Sequence, residues 1–407
     1  MNTADSYYNL HGMMTFRCTG TNSLVRDLVN RELQYFESQS GKPDLSLVFG
    51  EFPSSKWEPR GFASGERLLY DSDSHETTIL LDPRATPTRN DVKYVVRGDL
   101  RTSKDEIAIY VPRIRHPKRK SRPMTLARSL INLNLNDAYQ GLFAEDSLYN
   151  QYYWGEAGEI LSPFVEGFIY YRLPSLGFSI LHASAVSLNG SGVLFTGPAD
   201  VGKTTMALQL VSQGYSFLGD DLVLLGREGN LLSYPVPLKL EWRHQKVFPS
   251  IIKTMRRNLA PKERKLFDRL LRTSPKELFE FLPRPILSDL FDNARIEKEC
   301  SIDTVFVIKR GMIAEPKITK IDMATLEREV TSSLFWEFNT QGWRFIQYNY
   351  CSSYARGLDF LKEEVEHHSR VAKIVSEALV KVRAFELQLP SSFDVLETGK
   401  LVEKLIR

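Results

Sequence analysis

Residues 197–204 read Gly197-Pro198-Ala199-Asp200-Val201-Gly202-Lys203-Thr204, a complete G-x-x-x-x-G-K-[ST] pattern. Chance alone would place one in a chain this long with odds on the order of one in a hundred. Its surroundings sharpen it. Gly192–Thr196 (GVLFT) is a short apolar strand entering the loop, and Thr204–Gln213 (TTMALQLVSQ) is a helix leaving it, stopped by Gly214. Such a strand, glycine loop and helix N-terminus turn backbone N–H groups and the positive end of the helix dipole toward an anion. Lys203 adds a full positive charge, and the hydroxyl of Thr204 belongs in the shell of a phosphate-bound Mg²⁺. Thr205 completes the binding set, Gly197 to Thr205. A tight strand–helix turn with a surface lysine is the alternative, and the flanking pattern disfavours it.

Two carboxylates follow. Phe217-Leu218-Gly219-Asp220-Asp221-Leu222-Val223-Leu224-Leu225 is a buried strand interrupted by Asp220 and Asp221, or two short strands joined by a turn. A buried, unpaired carboxylate costs several kcal/mol, on the order of 3–5, so the pair calls for a cation. Neighbouring strand residues face opposite ways, so the two acids need different partners. One suits Mg²⁺ on a nucleotide; the other suits an acceptor whose proton it takes as general base.

A histidine is delivered to the same place. Phe178–Val186 and Gly192–Thr196 flank Asn189-Gly190, a strong two-residue hairpin signal. With that turn, paired residue numbers sum to 188 + 191 = 379, which sets His182 opposite Gly197. There it can meet a transferring phosphoryl group or the acceptor, or be an ordinary strand-end histidine satisfied by hydrogen bonds.

The elements around this core follow from periodicity. Residues 1–122 read as an α+β domain. One helix begins near Leu24, capped by Asn22 or Ser23, and short strands lie at 45–52, 77–81, 92–96 and 106–111 in an antiparallel sheet. A helical connection spans 123–177. The remainder, 178–407, holds the loop, a basic helical insertion (246–298, clearest over 246–282), a strand at 304–309, a helix near Met323–Trp336, a helical run at 371–379, a strand at 384–389 and a terminal helix.

Composition excludes several classes. The 407 residues are 42% hydrophobic and 25% charged, as expected of a globular rather than a disordered chain. Lys+Arg exceed Asp+Glu by 53 − 50 = 3, too little to imply a nucleic-acid partner overall. The strip 113–123 (RIRHPKRKSRP) concentrates six Lys/Arg, as an extended linker or as a dock for an acidic partner; it lacks aromatics for base stacking. Cys18, Cys300 and Cys351 form no metal or disulfide pattern. Neither a membrane span nor a signal peptide is evident. The expectation is a cytoplasmic protein.

The stretch LHASAVSLNGSGVLFTGPADVGKTTMALQLVSQGYSFLGDDLVLL (181–225), continuing into PVPLKLEWR (235–243), resembles the HPr kinase/phosphorylase family and its kinase-only relatives, which share a nucleotide-binding core with phosphoenolpyruvate carboxykinases. A weaker likeness continues from DTVFVIKRG (303–311) to the chain end. The resemblance implies an α/β fold: a P-loop-containing HPr kinase/PEP carboxykinase-like core with an N-terminal α+β domain and a helical insertion. It also implies ATP and Mg²⁺. Carried across, His182 stands at the phosphoryl-transfer centre with Lys203, Asp220 is the base, and Asp221, Thr204 and Glu241 are metal ligands. Glu241 and Arg243, with Lys239, match the acidic and basic residues that the family places in a loop near the metal. The family's later Pro-Gly-Arg-Asn-like loop, tied to dephosphorylation, is missing, and Pro198-Ala199-Asp200 replaces its usual loop rim. The implied activity is transfer of a γ-phosphoryl group from ATP to a hydroxyl of a protein, peptide or small molecule. The rivals are a non-catalytic nucleotide sensor, a carboxykinase, and a nucleic-acid-associated ATPase using 113–122 and 253–265.

Overall fold

The computed structural model describes the chain outside residues 1–4, 22–23, 51–61, 65–67, 72–75, 81–91, 99–105, 112–160, 242–243, 258–260, 274–283, 342–345, 347–348, 351–352, 354–356 and 407. Two compact units emerge: residues 1–113, 159–236 and 295–407 form the first, and residues 114–158 and 237–294 the second. The first joins the front strands to the phosphate-loop sheet.

Among the described residues of the first unit, nine strands make one sheet: β1 (Ser6–Leu10), β2 (Met14–Gly20), β3 (Glu37–Ser38), β4 (Leu45–Phe49), β5 (Phe62–Ser64), β6 (Leu68–Asp71), β7 (Glu76–Leu80), β8 (Val92–Arg97) and β9 (Ile107–Val111), in the order β3-β1-β2-β4-β9-β8-β7-β6-β5. The expected all-antiparallel sheet is corrected here: β2 pairs β4 in parallel, and β4 pairs β9 in parallel. Helix α1 (Leu24–Leu33) is the reason for the first, because a parallel pair needs a crossover and this helix supplies it. Asn22 and Ser23, its expected caps, lie outside the described residues, as does the strip at 113–122.

The second sheet is built from β10 (Phe178–Leu188), β11 (Ser191–Thr196), β12 (Ser216–Gly219), β13 (Leu222–Gly226), β14 (Asn230–Leu232), β15 (Glu299–Arg310), β16 (Lys317–Lys320) and β17 (Arg383–Leu389). Strands β10, β11, β13, β14 and β15 close a ring of pairings, with β12 on β10 and β17 on β15. Strands β11, β15 and β17 run parallel, and Phe195, Phe306 and Phe385 sit in register across them. Their rings stack at 5.5 and 5.4 Å between centroids, with Phe195 and Phe306 fully buried. This aromatic ladder locks three parallel strands so that their C-terminal ends emerge side by side, the edge where open α/β sheets bind ligands.

In the first unit α2 (Gly167–Arg172) precedes β10 and α3 (Lys203–Ser212) follows β11; next in chain order come α4 (His244–Val247), α5 (Ser250–Arg257), α6 (Pro261–Thr273) and α7 (Leu287–Leu290), which belong to the second unit. The first unit resumes with α8 (Met323–Gln341), α9 (Phe360–Leu379) and α10 (Val395–Ile406). The front sheet meets the loop-bearing sheet through Phe16 against Phe168, Phe36 against Tyr234, and His11 Nε2 bonded to the Ser233 carbonyl at 2.7 Å.

The described residues of the second unit include the four helices α4 to α7; residues 258–260 and 274–282 of the expected helical stretch lie outside the described residues. Phe248, Ile251, Phe267, Leu287 and Leu290 turn inward, while Arg256 grips Asp268 with two 2.9 Å bonds between α5 and α6. Cys18 and Cys300 are buried free thiols. Among the described residues no helix is long and apolar enough to cross a membrane.

Candidate functional site

The β10–β11 hairpin is the first positioning device. Asn189 and Gly190 both take positive φ, 53° and 81°, as a tight primed turn requires. The register follows: Leu188 faces Ser191, Ala185 faces Leu194 and Ala183 faces Thr196. One step further on, the Thr196 hydroxyl donates to the His182 carbonyl at 3.3 Å. His182 is thus carried to the start of the loop.

The loop itself depends on left-handed backbone at Gly197 (φ 139°), Asp200 (φ 63°) and Gly202 (φ 117°). A Cβ at Gly197 would stand 2.5 Å from the Ile308 carbonyl, so only glycine fits where β11 hands over to the loop. Pro198, Ala199 and Asp200 form the exposed rim, whereas Val201 and Thr205 turn inward. Lys203 is only 5% exposed, and its ammonium donates to the Gly197 and Pro198 carbonyls at 3.0 and 2.9 Å. Burial pushes its pKa down; Asp221, Asp220, Glu337 and Asp200 push it back. Helix α3 begins at this lysine, with the Met206 N–H bonded to the Gly202 carbonyl, and ends at Gly214 in the left-handed conformation.

The acid pair forms a turn between β12 and β13, and its two members differ sharply. Asp220 is buried, 4% exposed; its carboxylate accepts from the Ser184 hydroxyl at 2.5 Å and from the Thr204 hydroxyl at 2.9 and 3.1 Å. Burial, and next the neighbouring Asp221, push its pKa up to about 7, against the pull of those two hydroxyls and Lys203. Asp221 is exposed, takes φ 64°, and its carbonyl accepts the Ala183 N–H at 3.2 Å.

His182 is buried, and burial first and the Lys203 ammonium second hold its pKa down to about 3. The ring is therefore neutral, even though Glu337 Oε2 lies 3.6 Å from Nδ1. Ser333, one helical turn before Glu337 on α8, donates its hydroxyl to the Gly197 carbonyl at 3.2 Å and stands 3.4 Å from His182 Nδ1. Sequence reading missed both. They lie on a helix with no motif, 151 residues from His182 in the case of Ser333. Ser184 could have been found, because strand alternation puts it on the same face as His182.

The structure thus brings together His182, Lys203, Thr204, Asp220 and the loop. Glu241 belongs to the second unit, where its N–H bonds His244 Nδ1 at 2.9 Å; Lys239 is exposed there, and Arg243 lies outside the described residues. Among the described residues no cluster of three or more His, Cys, Asp or Glu could cage a metal. Mg²⁺ does not need one, since it is commonly held by one or two carboxylates plus substrate phosphates. The hard oxygen set of Asp220 and Thr204 beside a phosphate loop fits that ion.

Comparison with known proteins points to the same segment of the chain. Residues 177–234 match the family profile of the HPr serine kinase C-terminal domain. The chain is 42% identical over 60 residues to an HPr kinase/phosphorylase of Shouchella clausii, covering 14% of this chain and 19% of that protein. It is 41% identical over 51 residues to one of Chlorobium limicola, covering 12% and 16%. A third, of Mycoplasmopsis pulmonis, is 40% identical over 50 residues, covering 12% and 16%. The similarity spans less than a fifth of these relatives' length. The chain therefore carries an HPr serine kinase C-terminal domain and is a distant, partial homologue of the HPr kinase/phosphorylases.

Proposed function

We propose that this protein is an ATP- and Mg²⁺-dependent kinase that transfers a γ-phosphoryl group to a hydroxyl, on a serine of a protein or peptide or on a small-molecule alcohol. The observation that carries the reading is the Asp220 carboxylate on the Thr204 hydroxyl, beside a phosphate loop whose lysine is already drawn into the cradle. The loop N–H groups and Lys203 hold the triphosphate tail. Asp220 and Thr204 would hold Mg²⁺, which would supply charge neutralisation on the phosphates when bound.

The contacts favour the reverse of the carboxylate order that the resemblance implies. Asp220 is buried against Thr204 and suits the metal; Asp221 is exposed and suits the acceptor. In transfer, the acceptor oxygen bonds phosphorus, the bond from phosphorus to the ADP oxygen breaks, and Asp221 takes the hydroxyl proton. The neutral imidazole of His182 orients the incoming group. Catalysis then rests mainly on positioning and electrostatics, as phosphoryl transfer generally does.

The experiment presents γ-labelled ATP and Mg²⁺ to the full chain with serine-containing peptides and small alcohols. Wild type transfers label, whereas Lys203→Ala and Asp220→Asn lose at least about a hundredfold. If both variants transfer as well as wild type, the site assignment fails.

A further inference from the structure

A phosphate loop grips only the tail of a nucleotide, and the residues assigned so far leave the base without a partner. The C-terminal ends of the three parallel strands supply a candidate. Strand β11 delivers the loop, β15 ends at Arg310, and β17 runs into Pro390 and on to Phe393. A Cβ placed on Gly202, the last loop glycine, would lie 3.5 Å from Leu389, 3.8 Å from the Arg310 guanidinium and 3.8 Å from the Phe393 ring. Arg310 donates to the Pro390 carbonyl at 2.6 Å, and its guanidinium lies 4.8 Å from the Phe393 ring centroid. Arg310 is exposed and Phe393 half-exposed.

We propose that Arg310 and Phe393 form a stacking platform for the base of the bound nucleoside triphosphate, a subsite beside the phosphate loop; this rests on the kinase reading above. A planar cation laid on an aromatic ring is a surface onto which a purine can stack, and the Pro390 bond fixes its tilt. Placement at the C-terminal edge of parallel strands is where such a ligand belongs. The competing explanation is a strap, in which the pair merely ties the segment after β17 to β15. A strap acts on stability and has no preference among ligands.

Titration calorimetry with two probes, ATP and inorganic tripolyphosphate, both with Mg²⁺, separates these. Both probes load the loop; only ATP has a base. Phe393→Ala and Arg310→Gln are each expected to weaken ATP about tenfold while leaving tripolyphosphate unchanged. Phe393→Leu, which keeps apolar bulk without a π face, repeats the loss and covers the case in which the alanine variant fails to fold. Equal affinity of variant and wild type for ATP overturns the subsite, as does an equal loss for both probes. A wild-type protein that binds neither probe overturns the kinase reading and the subsite with it. Wild type binding both probes, with no selective loss in the variants, overturns the subsite alone.

Discussion

His182 makes a quantitative prediction about acid stability. In the native state the imidazole is almost fully enclosed beside Lys203, with its pKa held down to about 3. Unfolded, a histidine titrates near 6.5. Between those values the unfolded chain binds the extra proton and the native chain does not, so the histidine's contribution is intact above about pH 6.5 and is lost as pH falls toward 3. From pH 7 to pH 5 the loss is about 2 kcal/mol. Asp220 has the opposite sign: its raised pKa makes the native state the better proton binder between about 4 and 7. A single stability curve would mix the two. Urea unfolding of wild type and His182→Asn at pH 7, 6 and 5 isolates the histidine, because groups that do not touch the ring cancel in the difference. Wild type is expected to lose about 2 kcal/mol relative to the variant between pH 7 and 5. Parallel curves would refute the reasoning. They would mean that the Glu337 carboxylate, 3.6 Å from Nδ1, keeps the ring's pKa near its ordinary value.

Other perturbations test other parts of the architecture. Gly197→Ala must fit a Cβ 2.5 Å from the Ile308 carbonyl at φ 139°, so a loss of about 1–3 kcal/mol in thermal unfolding and a loss of ATP affinity are expected. Phe306→Ala empties the middle of the three-ring ladder and is expected to cost about 3–5 kcal/mol in urea unfolding. Ser333→Ala removes the hydroxyl between Gly197 and His182; transfer rate should fall about tenfold while ATP affinity stays within about twofold.

Much of the site could be read in one dimension because its geometry is local. Asn189-Gly190 sets the hairpin, the hairpin sets the register, and the register brings His182 to Gly197 without any tertiary information. The glycine loop and the start of α3 are likewise contiguous. What could not be read is what long-range packing decides. The unequal burial of Asp220 and Asp221 arises because β12 and β13 both pair with β10 and leave a turn between them, one acid turned in against Ser184 and Thr204 and the other out. Ser333 and Glu337 reach His182 only after α8 packs on β10. The parallel β2–β4 pair is hidden because β2 carries no clear strand signal, whereas the parallel β4–β9 pair joins two legible strands whose relative direction only long-range packing decides.

On the proposed function, Asp220 and Thr204 join a divalent cation to a triphosphate on the loop. Calorimetric titration of ATP into wild type and Asp220→Asn, with and without Mg²⁺, tests it most directly. Wild type is expected to bind ATP at least about tenfold more tightly with Mg²⁺, and Asp220→Asn to lose that increment while still binding metal-free ATP. An increment that survives the substitution, or wild-type affinity indifferent to Mg²⁺, would contradict the account.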